Sequence, residues 1–286
     1  MKELATPAPV VVGIDGSKAA IRAALWAVDE AASRDTPLRL LCAIEQDQNR
    51  EIEPDDAARK LATAETAVRH AVTAIEATGK PVKIETEVSH GPAIGSLIRA
   101  SASAAMVCLG AVGIRHFRPG RVGSTAAALA LSARSPVAII RFRDDHPHRP
   151  AERILVEADE SPGNGVLLGA AIEEARLRDA ALQVIICRRN ASGDDRVADT
   201  AGNRRALADL DRRLAHWKRR HPDLRVESMA VHGSLLAYLA HNRRSAGLVI
   251  VGTHNHNHLS ELVGSAGSAI LQDADCSLLI VNQQHL

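Results

Sequence analysis

The chain is written twice. Residues 10–17, Val-Val-Val-Gly-Ile-Asp-Gly-Ser, recur as Ile154-Leu-Val-Glu-Ala-Asp-Glu-Ser161, which pairs Asp15 with Asp159. Further on, His90-Gly91 pairs with His232-Gly233, and Met106-Val-Cys-Leu-Gly110 with Leu248-Val-Ile-Val-Gly252. Gly123-Ser124 pairs with Gly264-Ser265, and Val137-Ala-Ile-Ile-Arg141 with Leu278-Leu-Ile-Val-Asn282. The offset drifts only from 144 to 141 residues. A fixed long period means one unit repeated, and half of 286 residues is an ordinary domain size. The expected domains are 1–146 and 151–286, joined across the polar, proline-containing stretch Asp144-Asp-His-Pro-His-Arg-Pro150.

Within each unit, apolar runs alternate with helical patterns. In the first copy, strands are expected near 9–14, 37–44, 82–88, 104–110 and 136–141, with helices near 18–34, 55–78, 92–101 and 123–133. Ser17 and Asp55 read as N-caps, and Gly79 before Pro81 as a helix stop. In the second copy, strands are expected near 152–157, 181–187, 223–229, 246–251 and 277–281. Strand–helix alternation implies an α/β fold: two tandem copies of a five-stranded parallel sheet with helices on both faces. Glu45 to Pro54 and Arg188 to Gly202 read as polar surface loops.

Composition narrows the function classes. Lys+Arg is 35 against Asp+Glu 34, balanced in both halves, so neither is an electrostatic surface for nucleic acid. Aromatics make up 2% of the chain, which leaves almost nothing on which to stack bases. Such a core must be filled by Leu, Ile, Val and Ala, as suits buried parallel strands. No apolar run approaches the ~18 residues of a spanning helix, and the N-terminus lacks a signal-peptide pattern. Cys42, Cys108, Cys187 and Cys276 sit singly in apolar runs and read as core thiols. The expectation is a cytoplasmic protein with no membrane or nucleic-acid partner.

In an open parallel sheet, ligands bind beyond the carboxyl ends of the strands, where the winding reverses. Gly13-Ile-Asp15-Gly16-Ser17 follows the first strand, and Gly110-Ala-Val-Gly113 follows the fourth on the way to Gly123-Ser124-Thr125 at a helix start. The strand order 3-2-1-4-5 sets these loops on either side of one crevice. Glycines let backbone N–H groups approach an anion, and Ser124 and Thr125 add donors at a helix N-terminus. Arg115, Arg118 and Arg121 stand in the same loop. Spacing alone leaves phosphate binding and simple turn formation both open, and leaves Asp15 as either ligand or turn stabiliser. GxGxxG after a strand, GxxxxGK[ST] and a nucleophile elbow are all absent.

Together these residues resemble the universal stress protein family. Val11-Val-Gly-Ile-Asp15-Gly-Ser17, His90-Gly91 and above all Gly110-x2-Gly113-x9-Gly123-Ser124 look like its motifs, the last being its ATP-binding signature. The resemblance covers essentially the whole chain as two tandem domains. It implies a 3-2-1-4-5 sheet with four helices per copy and ATP in the crevice, with Mg²⁺ left open. It further implies that Asp15 contacts the adenosine and the backbone near Ala43 reads adenine. Gly13, Gly110, Ala111, Val112, Gly113, Arg115, Gly123, Ser124 and Thr125 would surround the ribose and phosphates. Asp159, Gly252, Gly264 and Ser265 are the corresponding residues of the second copy.

The second copy departs from the signature. Glu157 stands for Gly13, Asn255 for Gly113, and eight rather than nine residues precede Gly264. Weak or absent ATP binding is expected there. The segment Thr253-His-Asn-His-Asn-His258 reads as a flexible loop, with His254, His256 and His258 as a minor candidate metal site. The basic stretch Arg204 to Arg220 reads as a solvated helix face. The leading function is an ATP-dependent sensor or switch in the stress response, without catalysis and acting on an unidentified protein partner. The alternatives are a nucleotide-indifferent dimer scaffold, with self-association through the fifth strands Val137–Arg141 and Leu278–Asn282, or a slow ATP-hydrolysing or adenylyl-transfer enzyme.

Overall fold

The computed structural model describes residues 7–45, 54–114, 122–141, 153–158, 164–188, 196–243, 245–253 and 256–282. Of residues 54, 196–201, 256 and 257 it describes the backbone only. The chain divides into two compact units in sequence near Phe142–Arg143.

The first unit runs β1 (Val10–Gly13), α1 (Lys18–Ser33), β2 (Leu38–Ile44), α2 (Pro54–Glu76), β3 (Ile84–His90), α3 (Ala93–Ser101), β4 (Met106–Gly110), α4 (Ser124–Ser132) and β5 (Val137–Ile140). Its strands are parallel in the order β3-β2-β1-β4-β5. Val10, Val11 and Val12 are each 0% exposed, because a central parallel strand is covered on both faces. Helices α1 and α2 pack together on one face, and α3 and α4 on the other. Ser17 starts α1 as expected, its hydroxyl accepting from the Ala20 N–H at 3.0 Å. Asp55 does not cap α2. That helix starts at Pro54, whose ring suits a first helical position, and Asp55 and Asp56 fill its first turn.

The second unit runs β6 (Arg153–Ala158), α5 (Asn164–Leu177), β7 (Ala181–Arg188), α6 (Arg196–Arg220), β8 (Val226–His232), α7 (Leu235–His241), β9 (Leu248–Gly252), α8 (His256–Val263), α9 (Ser265–Asp273) and β10 (Ser277–Val281). Its order, β8-β7-β6-β9-β10, repeats that of the first unit. The repeat extends to detail. The Gly91 N–H donates to the Ile44 carbonyl and the Gly233 N–H to the Arg188 carbonyl, both at 2.9 Å, and both glycines have positive φ. Asp35 and Asp179 follow α1 and α5 with φ of 51° and 50°, the left-handed conformation that short polar side chains tolerate. Glu30 and Glu174 are buried carboxylates, each paired one turn on, with Arg34 (3.0 Å) and Arg178 respectively.

Four further expectations need correction. The third strand of the second unit covers 226–232 rather than 223–229, because α6 runs to Arg220 and the chain must turn before Arg225 reaches the sheet. The stretch before Gly202 is not all loop. Helix α6 begins at Arg196 and buries Ala206, Leu210 and Leu214 at a spacing of four. The segment read as a flexible histidine loop enters helix α8, whose Leu259, Leu262 and Val263 form a buried stripe. The second unit therefore has five helices among its described residues, where the resemblance implied four.

Candidate functional site

In the first unit the crevice is built from three turns. Asp15 leaves β1 with both carboxylate oxygens engaged: Oδ1 accepts from the Ser17 N–H at 2.9 Å and Oδ2 from the Ile114 N–H at 3.0 Å. Gly16 reverses the chain at φ +85°. Cys42, near the end of β2, has its thiol pushed up first by burial and then by the Asp15 charge, which places β2's end against the same turn. Ala43 pairs with Ser89 on β3 at that end, half-buried.

The glycines of the signature do different work. A Cβ on Gly110 would stand 2.6 Å from the Ala19 carbonyl carbon and 2.8 Å from its oxygen, so the first turn of α1 rests directly on the end of β4. A Cβ on Gly113 would stand 2.7 Å from Asp15 Oδ2. Gly123 returns the loop to its start: its N–H donates to the Ala111 carbonyl at 2.8 Å, and it lies over Val112 and the Gly113 N. It is also the cap of α4 and has no side chain with which to satisfy the Thr125 and Ala126 amides. Gly110, Ala111, Val112, Gly113, Gly123, Ser124 and Thr125 therefore meet at one place beside Asp15. Gly13 lies under it. Its missing side chain makes room for Leu109 Cδ2, 2.5 Å from where a Cβ would stand, and for Leu97 Cδ1 at 3.3 Å, which is core packing. Arg115 falls outside the described residues.

The second unit fills the same region with its own side chains. Glu157, in the place of Gly13, pairs with His258 Nδ1 at 3.1 Å, both largely buried. Cys187 stands where Ala43 stands in the first unit, and its thiol is raised out of its usual range by burial, by the Glu157 charge and by its hydrogen bond to Glu157. Val251 stands in the place of Leu109. Gly252 ends β9, and Gly264 separates α8 from Ser265, the first residue of α9. The Leu262 carbonyl oxygen lies 2.5 Å from where a Cβ on Gly267 would stand, with the Glu261 carbonyl oxygen also against it, so α8 packs onto the first turns of α9. Asp159 and His254 lie outside the described residues, and the His256 side chain is not described. Among the described residues, no group of three or more His, Cys, Asp or Glu is placed to hold a metal ion. Nor is any helix there long and apolar enough to cross a membrane.

Sequence reasoning missed Ile114, whose backbone N–H meets Asp15, and the Glu157–His258 pair. The Leu259-x2-Leu262-Val263 spacing was the readable sign that His258 sits on a helix.

The sequence model of the universal stress protein family matches residues 8–141 and again 150–282. The chain belongs to the universal stress protein family. It carries two of that family's domains in tandem. Universal stress protein Rv2028c of Mycobacterium tuberculosis is 55% identical over 286 residues, all of both chains. Universal stress protein Rv2624c of the same organism is 39% identical over 274 residues, 96% of each. A solved universal stress protein from Archaeoglobus fulgidus shares the fold at 16% identity, with a TM-score of 0.69 over 96% of both chains.

Proposed function

We propose that the first unit of this stress-family protein binds ATP and acts as a non-catalytic sensor, while the second unit serves as its closed structural counterpart. The observation that carries this reading is the glycine-lined turn beside an α4 start whose cap, Gly123, has no side chain. Bare backbone N–H groups at a positive helix end suit a polyphosphate. Gly110, Ala111, Val112 and Gly113 would present backbone to the ribose and phosphates, Gly123, Ser124 and Thr125 would take the terminal phosphates, and Arg115 would screen them. Asp15 would accept from the adenosine, and the Ala43 backbone would read the base. Gly13 supports this arrangement from below. ATP would supply the negative charge that draws these donors together, with Mg²⁺ held by its phosphate oxygens and by water.

The Asp15 carboxylate is held by the Ser17 and Ile114 N–H groups, which suits a role in holding the turn more than one in proton transfer. For a switch, ATP must bind two states of the loop with different affinity. A protein partner, or self-association through the fifth strands, would read the difference. In the second unit, the Glu157 carboxylate and the docked α8 oppose phosphate.

Calorimetric titration of the full chain with ATP tests the reading. One ATP per chain, lost in Gly123→Asp, is expected. Two per chain would overturn the closed second unit, and none at millimolar ATP would overturn the sensor.

A further inference from the structure

We infer that Asp15 is a positioning residue whose carboxylate ties the turn after β1 to the turn after β4, holding the Gly110–Ile114 backbone in place before any ligand arrives. Its two oxygens accept from two backbone N–H groups, Ser17 at 2.9 Å and Ile114 at 3.0 Å, the second 99 residues away in sequence. Bonds from N–H to an ionised carboxylate are stronger than those between neutral groups.

The surroundings are shaped for this contact. Gly113 leaves Oδ2 its place, since any Cβ there would stand 2.7 Å from it. Gly16, at φ +85°, turns the chain beneath, and the Ile114 side chain passes 3.5 Å from where a Cβ on Gly16 would stand. That side chain is 60% exposed, so its burial does not account for the loop's position.

The second unit supplies a parallel. There a carboxylate from the first strand, Glu157, also reaches the segment after the fourth, but binds a side chain on α8, His258. Each unit thus holds that segment to its first strand or the adjoining turn through one acid.

A carboxylate oxygen has two lone pairs, so Asp15 can keep the Ile114 N–H and still accept from a ligand hydroxyl. Nucleotide would then meet a turn already ordered and would lose less affinity to ordering it. The tether stands on the hydrogen bonds alone. Only this consequence rests on the nucleotide reading above.

The test is amide exchange by nuclear magnetic resonance on the nucleotide-free full chain, with ATP titration of the same samples. In Asp15→Ala, exchange at Ile114 should rise about tenfold or more, with Cys108 and Leu109 in β4 unchanged. Gly113→Ala keeps the carboxylate but displaces it, and should expose Ile114 equally. Asp15→Asn, which keeps one accepting oxygen, should rescue only part of the protection. Unchanged Ile114 exchange in both Asp15→Ala and Gly113→Ala would overturn the tether, even if Asp15→Ala lost ATP. A wild-type chain that protects Ile114 through Asp15 yet binds no ATP would keep the tether and overturn the nucleotide reading.

Discussion

The segments that follow the fourth strand of each unit begin from matching glycines, Gly110 and Gly252, and end at matching helix starts, Ser124 and Ser265. Between them they part company. In the first unit, glycine at 113 and 123 keeps backbone exposed around the start of α4. In the second, the segment coils into α8, buries Leu259 and Leu262, and packs carbonyl groups on α9 at Gly267. The same strand order therefore supports a glycine-lined turn or a packed helix after the fourth strand. Losing a glycine and gaining an apolar stripe at helical spacing puts a packed helix where the first unit has a glycine-lined turn. An acid, Glu157, then stands in the place of Gly13 and pairs with that helix.

The largest expected effects come from the two glycines where backbone rests on backbone. Gly110→Ala must push Ala19 and the start of α1 away from β4, and Gly267→Ala must lift α8 from α9. Backbone yields less readily than a side-chain end, so each should cost about 3 kcal/mol, the upper part of the overpacking range. Thermal unfolding would measure it. Gly123→Ala is the contrast: its nearest neighbour would be 3.6 Å away, so it should cost no more than about 1 kcal/mol, the loss of a favoured cap residue. A Gly267→Ala chain as stable as the wild type would undo the account of α8 as a tightly docked cover.

A comparable effect should be shared by both units, which sharpens where they differ. Glu30 and Glu174 are buried in equivalent helices and paired with Arg34 and Arg178. Arg34→Met and Arg178→Met each weaken the partnering of a buried carboxylate. About 2 kcal/mol is expected for Arg34→Met, below the full cost of a broken buried pair because Arg34 is 32% exposed, and about 3 kcal/mol for Arg178→Met, whose side chain is 11% exposed. A loss in Arg34→Met larger than that in Arg178→Met, read from denaturant unfolding, would show that solvent exposure does not set the cost of these two pairs.

These contrasts also mark what the sequence could reveal. The repeat of apolar strands, the Asp15 turn and the Gly110-x2-Gly113-x9-Gly123 spacing are local patterns, while the strand order is what the family resemblance implies. Strand limits were less legible: β8 starts at Val226 because a long helix consumes the residues before it. The tether from Asp15 to Ile114 joins positions 99 residues apart through a backbone N–H, which no residue type announces. His258 was visible as a histidine, but its partner Glu157 is defined only by the sheet. The buried Glu30 and Glu174 lie on helices whose burial depends on packing rather than on their own polarity.

A smaller effect concerns reactivity in the second crevice. Burial and the Glu157 charge both raise the Cys187 thiol, so near neutral pH it stays protonated. Thiolate is the reacting form, so alkylation of Cys187 at pH 8 should be much slower than that of a free thiol. Glu157→Gln removes a negative charge, which lowers the thiol's pKa and should speed labelling several-fold. Peptide mass spectrometry after timed alkylation reads both. Labelling of Cys187 that ignores Glu157→Gln would separate the thiol from the acid and weaken the picture of a crevice filled by its own side chains.

The smallest effect lies where the units again agree, on the solvated faces of their second helices. Asp56 pairs with Arg59 and Lys60 in α2, and Asp209 with Arg212 and Arg213 in α6. Hydrogen bonds from these cations hold both carboxyls below their usual range, led by Lys60 for Asp56 and by Arg212 for Asp209. A carboxyl with a lowered folded pKa adds stability that is present above its unfolded pKa and lost as pH falls through the folded value. Both groups are solvent-exposed and screened, so the gain at neutral pH is minor and salt removes it. Asp56→Asn and Asp209→Asn should each leave the neutral melting temperature almost unchanged, with any difference vanishing in 1 M salt on the scale of a ~3 Å Debye length. A large, salt-resistant loss in Asp209→Asn alone would mean that α6 uses its basic face structurally, and the two helices would then no longer be the same device built twice.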